Sequence, residues 1–364
     1  MNQTNWYIYR LYTRREFDLL KDVLETQLSE TKGSDAYALY VKGLVLRREG
    51  KIQDSLSVFQ AAACLKPNSV ETLKQVGKTL HLMGKHARAI EVFQEARQMM
   101  PSEEDRDIWH NIGLCHLATE KYTVAIECFE RANAIRSMDE TYAKIGEAYR
   151  SLSDKDSEIE TYVEALDVSP SNPKLLTELG LTYLRNNQMT EAFEYLGNAL
   201  AHDRSNVRAA LAVGSVLQDH EDVDVALSKY RKALLKAPNS SQLWNNIGMC
   251  YFTKHRYVAA IVCLKRASYL DPFGWIVSYN LGLCYLQTGQ HASAFRYLKA
   301  TIQLNDKIAS AFAHLGVALG RLGDFENGYV FFFVIASRVH NHQSTYAHTH
   351  THNADAGHSI VQLN

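Results

Sequence analysis

Two cysteines and a histidine lie close together in the segment "LWNNIGMCYFTKHRYVAAIVCLKRA" (residues 243–267). Thiolate sulfur and imidazole nitrogen are the ligands that Zn²⁺ prefers, and a cysteine beside a histidine is also the basis of thiol catalysis. Cys250, His255 and Cys263 are therefore the first candidates for a metal or thiol site. Their spacing matches neither CxxC nor HExxH, which weakens that interpretation.

A second group of potential metal ligands is the histidine-rich C-terminal segment, with His340, His342, His348, His350, His352 and His358. Alternating histidines bind divalent metals in solution, but a structured site also needs supporting hydrogen bonds and a dry pocket, which this segment does not offer. A glycine-rich phosphate loop and a nucleophile elbow are absent from the sequence. We therefore predict a protein without catalytic residues, cofactors or a metal site.

Glycines recur at nearly constant intervals of 33 to 36 residues: Gly43, Gly77, Gly113, Gly146, Gly180, Gly214, Gly248, Gly282 and Gly316. A small residue lies twelve residues after most of them, and a large apolar residue follows four positions later. Five of the six prolines lie 24 residues after a repeat glycine. Proline is tolerated between helices and disfavoured inside them, so these prolines mark the ends of repeats.

This period and pattern are those of the tetratricopeptide repeat, a helix-turn-helix unit that buries its apolar face only by stacking on its neighbours. Glycine on the first helix and alanine on the second allow the two backbones to approach, as expected for the pairs Gly77 and Ala89, Gly113 and Ala125, Gly248 and Ala260, and Gly282 and Ala294. The large residue is expected to fill the gap between neighbouring repeats. The predicted fold is an all-α superhelical solenoid.

Eight full repeats are predicted over residues 36–308, with starts near 36, 70, 106, 139, 173, 207, 241 and 275. A helical pair over residues 1–35 is expected to cap the array. A partial ninth repeat over residues 309–328 is followed by a divergent tail, residues 329–364, which we expect to be disordered.

The cysteines recur at fixed positions of the repeat. Cys115, Cys250 and Cys284 occupy position 10, whereas Cys128 and Cys263 occupy position 23. Recurrence at one position is typical of a small buried side chain, so we interpret these cysteines as packing residues. His255 falls in the turn between two helices and is expected to face water.

Protein recognition is the function that the repeat class favours. Positions 5 and 9 of the first helix reach the concave face, where Lys at position 5 and Asn at position 9 would clamp the C-terminal carboxylate of a chaperone. No repeat carries that Asn, so a chaperone cofactor is disfavoured. The mixture of apolar and charged residues instead suits a protein partner. The candidate contact residues are Tyr40, Leu44, Lys74, Lys78, His110, Asn245, Met249 and Tyr279.

The charge balance argues against broad electrostatic binding. Lys and Arg number 39 against 40 Asp and Glu, and no block of like charge stands out. We therefore predict no nucleic-acid partner. The most apolar segment, "YVFFFVIA" (residues 329–336), is too short to cross a bilayer, and no signal peptide is recognisable, so we expect a cytoplasmic protein with reduced thiols.

Several segments of the sequence resemble one particular family beyond the general pattern of the repeat. They are "NWYIYRLYTRREFDLLKDVLETQLSETKG", "MGKHARAIEVF", "EAFEYLGNAL", "DVDVALSKYR" and "LWNNIGMCYFTKHRYVAAIVCLKRASYLDPFGW". The chain is similar over residues 5–327 to the Bardet–Biedl syndrome 4 family of BBSome subunits. The resemblance implies a scaffold in a hetero-oligomeric, coat-like complex that carries membrane proteins into and out of cilia. It also implies other BBSome subunits, pericentriolar material and dynein–dynactin as partners, at the centrosome, centriolar satellites, basal body and cilium.

Two other functions stay open from the residues alone. One is a repeat adaptor of another cytosolic assembly, such as a cell-cycle or motor-cargo complex. The other is a metal-dependent enzyme that uses the thiols or the histidine-rich tail.

Overall fold

The chain folds into α-helices that pack in consecutive pairs. The computed structural model describes residues 3–100 and 105–328, and within these ranges it contains nineteen complete α-helices, a further helical segment at residues 325–328 and no β-strand. The predicted all-α repeat fold is confirmed. The predicted disordered tail, residues 329–364, lies outside the described residues. No helix in the described part of the chain combines the length and apolar character that crossing a bilayer requires.

Two compact units divide the chain, Met1–Pro170 and Ser171–Asn364. The helices of the first unit are α1 (Gln3–Arg14), α2 (Phe17–Glu30), α3 (Ala36–Arg48), α4 (Ile52–Leu65), α5 (Val70–Leu82), α6 (His86–Gln98), α7 (Arg106–Ala118), α8 (Tyr122–Ile135), α9 (Asp139–Ser151) and α10 (Lys155–Val168). The helices of the second unit are α11 (Pro173–Arg185), α12 (Met189–His202), α13 (Val207–Asp219), α14 (Val223–Leu234), α15 (Ser241–Thr253), α16 (Tyr257–Leu270), α17 (Trp275–Gln287), α18 (His291–Leu304) and α19 (Ala309–Arg321).

Polar side chains determine where many of the first helices begin. In α5, the hydroxyl of Ser69 accepts a hydrogen bond from the backbone N–H of Thr72, which satisfies one of the free donors at the helix start. Such side-chain caps precede six of the first helices, at Asp35, Ser69, Asp105, Asn172, Asn206 and Ser240.

The turn between the two helices of a repeat places one residue in the left-handed region. Gly50, Gly84 and Gly289 have φ of +81°, +74° and +71°, which glycine adopts without strain. In the seventh repeat the same position is His255, with φ of +57°. Its side chain is exposed, so its predicted place in a turn facing water is confirmed.

Each repeat is held together by a contact between its glycine and a large side chain of its second helix. A Cβ atom added to Gly77 would lie 2.6 Å from the ring of Phe93, and one added to Gly248 would lie 2.8 Å from Leu264. The large residue therefore fills the space above the glycine of its own repeat. It also belongs to buried clusters that continue into the following repeat, as the sequence analysis predicted: Phe93 clusters with Ile108, and Leu264 with Val277. The eight contacts join Gly43 to Phe59, Gly77 to Phe93, Gly113 to Phe129, Gly146 to Tyr162, Gly180 to Leu196, Gly214 to Tyr230, Gly248 to Leu264 and Gly282 to Leu298.

Each repeat also packs on the next one within its unit. The second helix of one repeat contacts the first helix of the following repeat, as α6 contacts α7 and α16 contacts α17. Consecutive first helices touch as well, including α5 with α7 and α15 with α17. A first helix can thus pack both against the second helix of the preceding repeat and against a neighbouring first helix.

Replacing Gly214 by Ala tests the glycine contact. The new methyl group would lie 2.3 Å from the buried ring of Tyr230, whose hydroxyl is held by a 2.8 Å hydrogen bond to Gln218. We expect the free energy of unfolding to fall by about 1–3 kcal/mol because the ring must shift. Urea denaturation monitored by circular dichroism measures the change.

Gly197→Ala is the matched control. Gly197 lies inside α12 with no atom within 4 Å of an added Cβ, so the change should stabilise the chain by up to about 1 kcal/mol through helix propensity. Equal effects of the two substitutions would contradict the assigned role of Gly214.

Candidate partner-binding surfaces

The eight residues expected to contact a partner differ in how much of their side chains reaches the surface. Three are partly exposed and could reach a partner: Tyr40, Leu44 and Lys78. Five are buried: Lys74, His110, Asn245, Met249 and Tyr279. Whether any of the eight binds a partner stays a prediction, but burial restricts direct contact to the first three.

The buried residues at position 5 that carry a polar group share one arrangement, in which the side chain bonds to the next repeat. The amide of Asn280 donates a hydrogen bond to the carbonyl oxygen of Asn245, with 2.9 Å between the two atoms. Equivalent polar contacts join Lys74 to Asp105, His110 to Thr141, Thr177 to Asn206 and Tyr279 to His314. These polar groups are therefore already used in holding consecutive repeats together.

The ion pair of Lys74 is the most strongly charged of these contacts. Its Nζ lies 2.8 Å from Asp105 Oδ2 and 2.5 Å from Glu71 Oε1. Burial alone would lower the pKa of Lys74, but the bonds to Asp105 and Glu71 outweigh that effect and hold the pKa above its ordinary value. Lys74 is thus already committed to carboxylates of its own chain.

Asp105 connects this ion pair to the start of α7. Its carboxylate also accepts a hydrogen bond from the backbone N–H of Asp107 at 2.7 Å. Burial by itself would raise the pKa of Asp105, yet Lys74 and the backbone donors hold that pKa below its ordinary value. One carboxylate thus caps a helix and binds the preceding repeat.

His110 and Met249 are two candidate contact residues that are kept from a partner in different ways, the first by a polar contact and the second by apolar packing. Nδ1 of His110 lies 3.1 Å from the hydroxyl of Thr141. Burial lowers the pKa of His110, and the neighbouring Arg106 adds to that effect, which favours the neutral imidazole. Met249 is fully buried in an apolar cluster that includes Val277.

The cysteines that recur along the repeats are buried, which confirms the packing interpretation of their position. Desolvation raises the pKa of Cys115, Cys250 and Cys284 to about 12. Because the thiolate is the reactive form, these thiols are poor nucleophiles at neutral pH.

Potential metal ligands come together at a place that the sequence reasoning missed. In the described residues, Cys250, His255 and Cys263 form no cluster of ligand atoms, whereas His81, His86 and Cys115 do. These three residues belong to two different repeats, so no short motif joins them. The only signal in the sequence is a position-10 cysteine that follows a repeat with histidines at positions 12 and 17.

An exposed apolar row, the α16 stripe, lies on the second helix of the seventh repeat. It consists of Val258, Val262, Tyr269 and Phe273, whose exposed fractions lie between 64% and 80%. The members follow helical spacing along α16 and continue past its end. Exposed apolar side chains in such a row, rimmed by polar groups, mark protein-interaction surfaces.

The α16 stripe lies among basic residues. Lys265 and Arg266 are exposed on α16, which carries no acidic residue, and the guanidinium of Arg266 lies over the ring of Tyr269. In α18, Arg296 and Lys299 are likewise exposed without an acidic neighbour on the same helix. The second helices of these two repeats therefore present positive charge together with apolar area.

Replacing Lys74 by Met tests the repeat-to-repeat ion pair. The change leaves the carboxylate of Asp105 without its cation, so the free energy of unfolding at pH 7 should fall by about 1–3 kcal/mol. In the wild type the lowered pKa of Asp105 contributes stability above its ordinary value of 3.8, and this stability is lost as pH falls through the lowered pKa. The deficit of the variant should therefore shrink on acidification, which urea denaturation at several pH values measures.

Lys78→Met is the control, because Lys78 lies one turn further along α5 and makes no salt bridge within the described part of the chain. A stability deficit of K74M that does not change with pH would contradict the assigned ion pair.

Comparison with known proteins agrees with the repeat architecture. Family models described as tetratricopeptide repeat match residues 211–267, and also 107–137, 139–172 and 277–308. The chain is similar in fold to the Cut9-Hcn1 hetero-tetramer of the APC/C, with a TM-score of 0.55, 19% identity, 82% of this chain and 59% of that one. It is also similar to a monomeric mutant of IFIT1, with a TM-score of 0.52, 17% identity, 83% of this chain and 78% of that one. At these identities the likeness is one of fold alone.

Closer relatives come from animals. The BBSome complex member BBS4 of Bos taurus is 44% identical over 90% of this chain, and that of Mus musculus is 45% identical over the same share. The chain spans 63% and 62% of the length of these two relatives. The BBS4 homolog of Drosophila melanogaster is 33% identical, with 90% of this chain and 69% of the relative covered. The resemblance indicated by these sequence segments is thus confirmed, and the chain belongs to the BBS4 family of BBSome complex members.

Proposed function

We propose that the chain is a non-catalytic scaffold subunit of a BBSome-type complex and binds other subunits of that complex during the transport of ciliary membrane proteins. The names of its relatives support this role, and so does a fold made of stacked helix pairs. The proposal includes a hetero-oligomeric state and a location in the cytoplasm, at the cilium and its basal body, and at centrosomes and centriolar satellites. Pericentriolar material and dynein–dynactin are further proposed partners, suggested by the family resemblance.

The chemistry of the thiols supports the non-catalytic part of the proposal. A nucleophilic cysteine needs an accessible thiolate with a lowered pKa. Cys250 and Cys284 are fully buried, and burial raises the pKa of both thiols to about 12. These residues contribute packing rather than reactivity.

The observation that carries the proposed binding role is the α16 stripe. Aromatic side chains near the centre of an interface contribute most of its binding energy, and Tyr269 and Phe273 are 75% and 80% exposed. The residues facing the next repeat at position 5 are, by contrast, mostly occupied by internal hydrogen bonds. We therefore place the main subunit contact on the second helix of the seventh repeat.

The charge around the stripe defines the chemistry of its partner. Lys265 and Arg266 border the apolar row, α16 itself carries no acidic residue, and Asp271 directly after the helix is the single carboxylate between Tyr269 and Phe273 in the sequence. A protein subunit that presents an apolar ridge with an acidic rim is complementary to this surface. The occupant that we propose is such a subunit of the same complex.

A repeat adaptor of another assembly is the alternative function. The likeness to the Cut9-Hcn1 hetero-tetramer gives it no separate support, because that likeness is limited to the fold at 19% identity. Purification of a tagged chain from ciliated cells separates the two functions. Co-purification of other BBSome subunits is expected, and its failure would contradict the proposed function.

The double substitution of Tyr269 and Phe273 by Ala tests the binding surface in the same experiment. Both side chains are largely exposed, so the chain should keep its helical circular dichroism. We expect the captured amount of the other BBSome subunits to fall by at least about ten-fold, because two such aromatic residues together contribute about 2–4 kcal/mol to an interface, which corresponds to a loss of affinity of roughly 30-fold or more.

Leu65→Ala combined with Leu82→Ala is the matched control, since both leucines are exposed apolar residues of the first unit, 47% and 59% exposed. The control should capture the subunits like the wild type. Equal capture by the stripe variant and the control would place the contact elsewhere. If the stripe variant instead lost sedimentation with anionic vesicles and kept the subunits, the stripe would be a membrane contact and the proposed occupant would be wrong.

A further inference from the structure

Three side chains that can ligate a metal meet where the second repeat packs on the third. His81 lies in the last turn of α5, His86 is the first residue of α6, and Cys115 lies near the C-terminal end of α7. One ligand atom of each residue lies within 4.8 Å of the other two, and Nδ1 of His81 is the atom nearest both to Nδ1 of His86 and to Sγ of Cys115 in the two measured contacts. Cys115 is fully buried, whereas both histidines are partly exposed, so the cluster opens to solvent on the imidazole side.

The distances within the cluster are close to the edges of a tetrahedron around a metal ion. With bonds of about 2.1 Å to nitrogen and about 2.3 Å to sulfur, tetrahedral Zn²⁺ separates two nitrogens by about 3.4 Å and a nitrogen from a sulfur by about 3.6 Å. The two Nδ1 atoms are 3.2 Å apart, and Sγ of Cys115 lies 3.4 Å from Nδ1 of His81.

Hydrogen bonding satisfies this arrangement only if one imidazole nitrogen is shared between two partners. An imidazole nitrogen carries either one proton or one lone pair, so each of two partners then receives a weaker bond. Nδ1 of His81, however, has both Nδ1 of His86 and Sγ of Cys115 at hydrogen-bonding distance. A cation placed between the three atoms uses a lone pair from each of them.

We propose that His81, His86 and Cys115 form a Zn²⁺ site with a fourth coordination position open to solvent. Two imidazoles and one thiolate are a ligand set typical of zinc, and three protein ligands leave the fourth position to water or an external group. The site joins three helices from two repeats, so an ion bound there links the second repeat to the third.

The protonation of the ligands is compatible with this site. Burial lowers the pKa of His81, and the adjacent His86 adds to that effect, so the imidazole is neutral and has a lone pair to offer. Burial raises the pKa of the Cys115 thiol to about 12 without a metal. A bound cation favours the thiolate, so binding forms the Zn–S bond and releases the thiol proton to solvent.

The equivalent position further along the chain shows the alternative, which is simple packing. In the seventh repeat, positions 12 and 17 are Phe252 and Tyr257, and Cys284 follows at position 10 of the eighth repeat. The rings of Phe252 and Tyr257 lie with centroids 5.5 Å apart, against 5.0 Å for His81 and His86. The ring pair of the second repeat is thus packed much as that of the seventh repeat is, but its two rings carry nitrogen atoms that can ligate a metal.

Titration of the metal-free full chain with Co²⁺ and Zn²⁺ tests the proposal. After chelator treatment and desalting, we expect one equivalent of Co²⁺ to give the intense sulfur-to-metal charge-transfer absorption of a thiolate ligand. Zn²⁺ should displace the Co²⁺ and abolish that absorption. Zn²⁺ should also raise the melting temperature, because the ion binds the folded chain.

Three variants make the titration specific. Cys115→Ser should remove the thiolate absorption, and His86→Asn should weaken Zn²⁺ binding by at least about ten-fold, since even indirect supporting groups are worth that much. His86 is partly exposed at a helix start, so H86N keeps the site testable if C115S is unstable. Cys284→Ser removes a buried cysteine at the same repeat position, after a repeat in which Phe252 and Tyr257 stand in place of the two histidines, and this variant should bind like the wild type.

Two results would overturn the proposal. The first is a wild-type chain that gives no thiolate absorption with Co²⁺. The second is Zn²⁺ binding that survives both C115S and H86N unchanged, which would assign the metal to other residues such as the histidine-rich C-terminal segment.

Discussion

The contact between the glycine of each first helix and the large side chain of the second helix sets the distance between the paired helices. A Cβ atom at any of these glycines would come within 2.3 to 2.8 Å of the opposing side chain. The two backbones can therefore approach only at glycine, and the large residue fills the space that remains. The same contact recurs in eight repeats, and within each unit several first helices also touch the first helix of the next repeat.

The packing of each repeat on the next one determines which side chains remain available to a partner. Position 5 of a first helix faces the following repeat, so Lys74, His110 and Asn245 bond within the chain. Side chains on the far side of a second helix have no such neighbour, and apolar residues there stay exposed, as Val258 and Val262 do. Exposed apolar area therefore runs along α16, while first helices carry exposed apolar residues such as Leu82 at their ends.

The sequence predicted the fold well, because glycine, alanine and proline at fixed intervals report directly on helix contacts and helix ends. The sequence predicted less about which side chains stay exposed and free to bind a partner. Position 5 is a binding position in the repeat class, but whether Lys74 is free depends on Asp105, 31 residues away. The cluster of His81, His86 and Cys115 was missed for the same reason, since its members approach one another only after two repeats have stacked. Exposure of Tyr269 likewise depends on what packs beside α16.

The central claim is that the chain holds another subunit through the second helix of its seventh repeat. Hydroxyl-radical footprinting of the isolated chain and of the assembled complex measures this most directly, because Tyr269 and Phe273 are exposed aromatic residues that oxidise readily in the free chain. We expect their oxidation to fall strongly on assembly, while Leu65 and Leu82 remain as reactive as before. Unchanged oxidation of Tyr269 and Phe273 in the assembled complex would contradict the account.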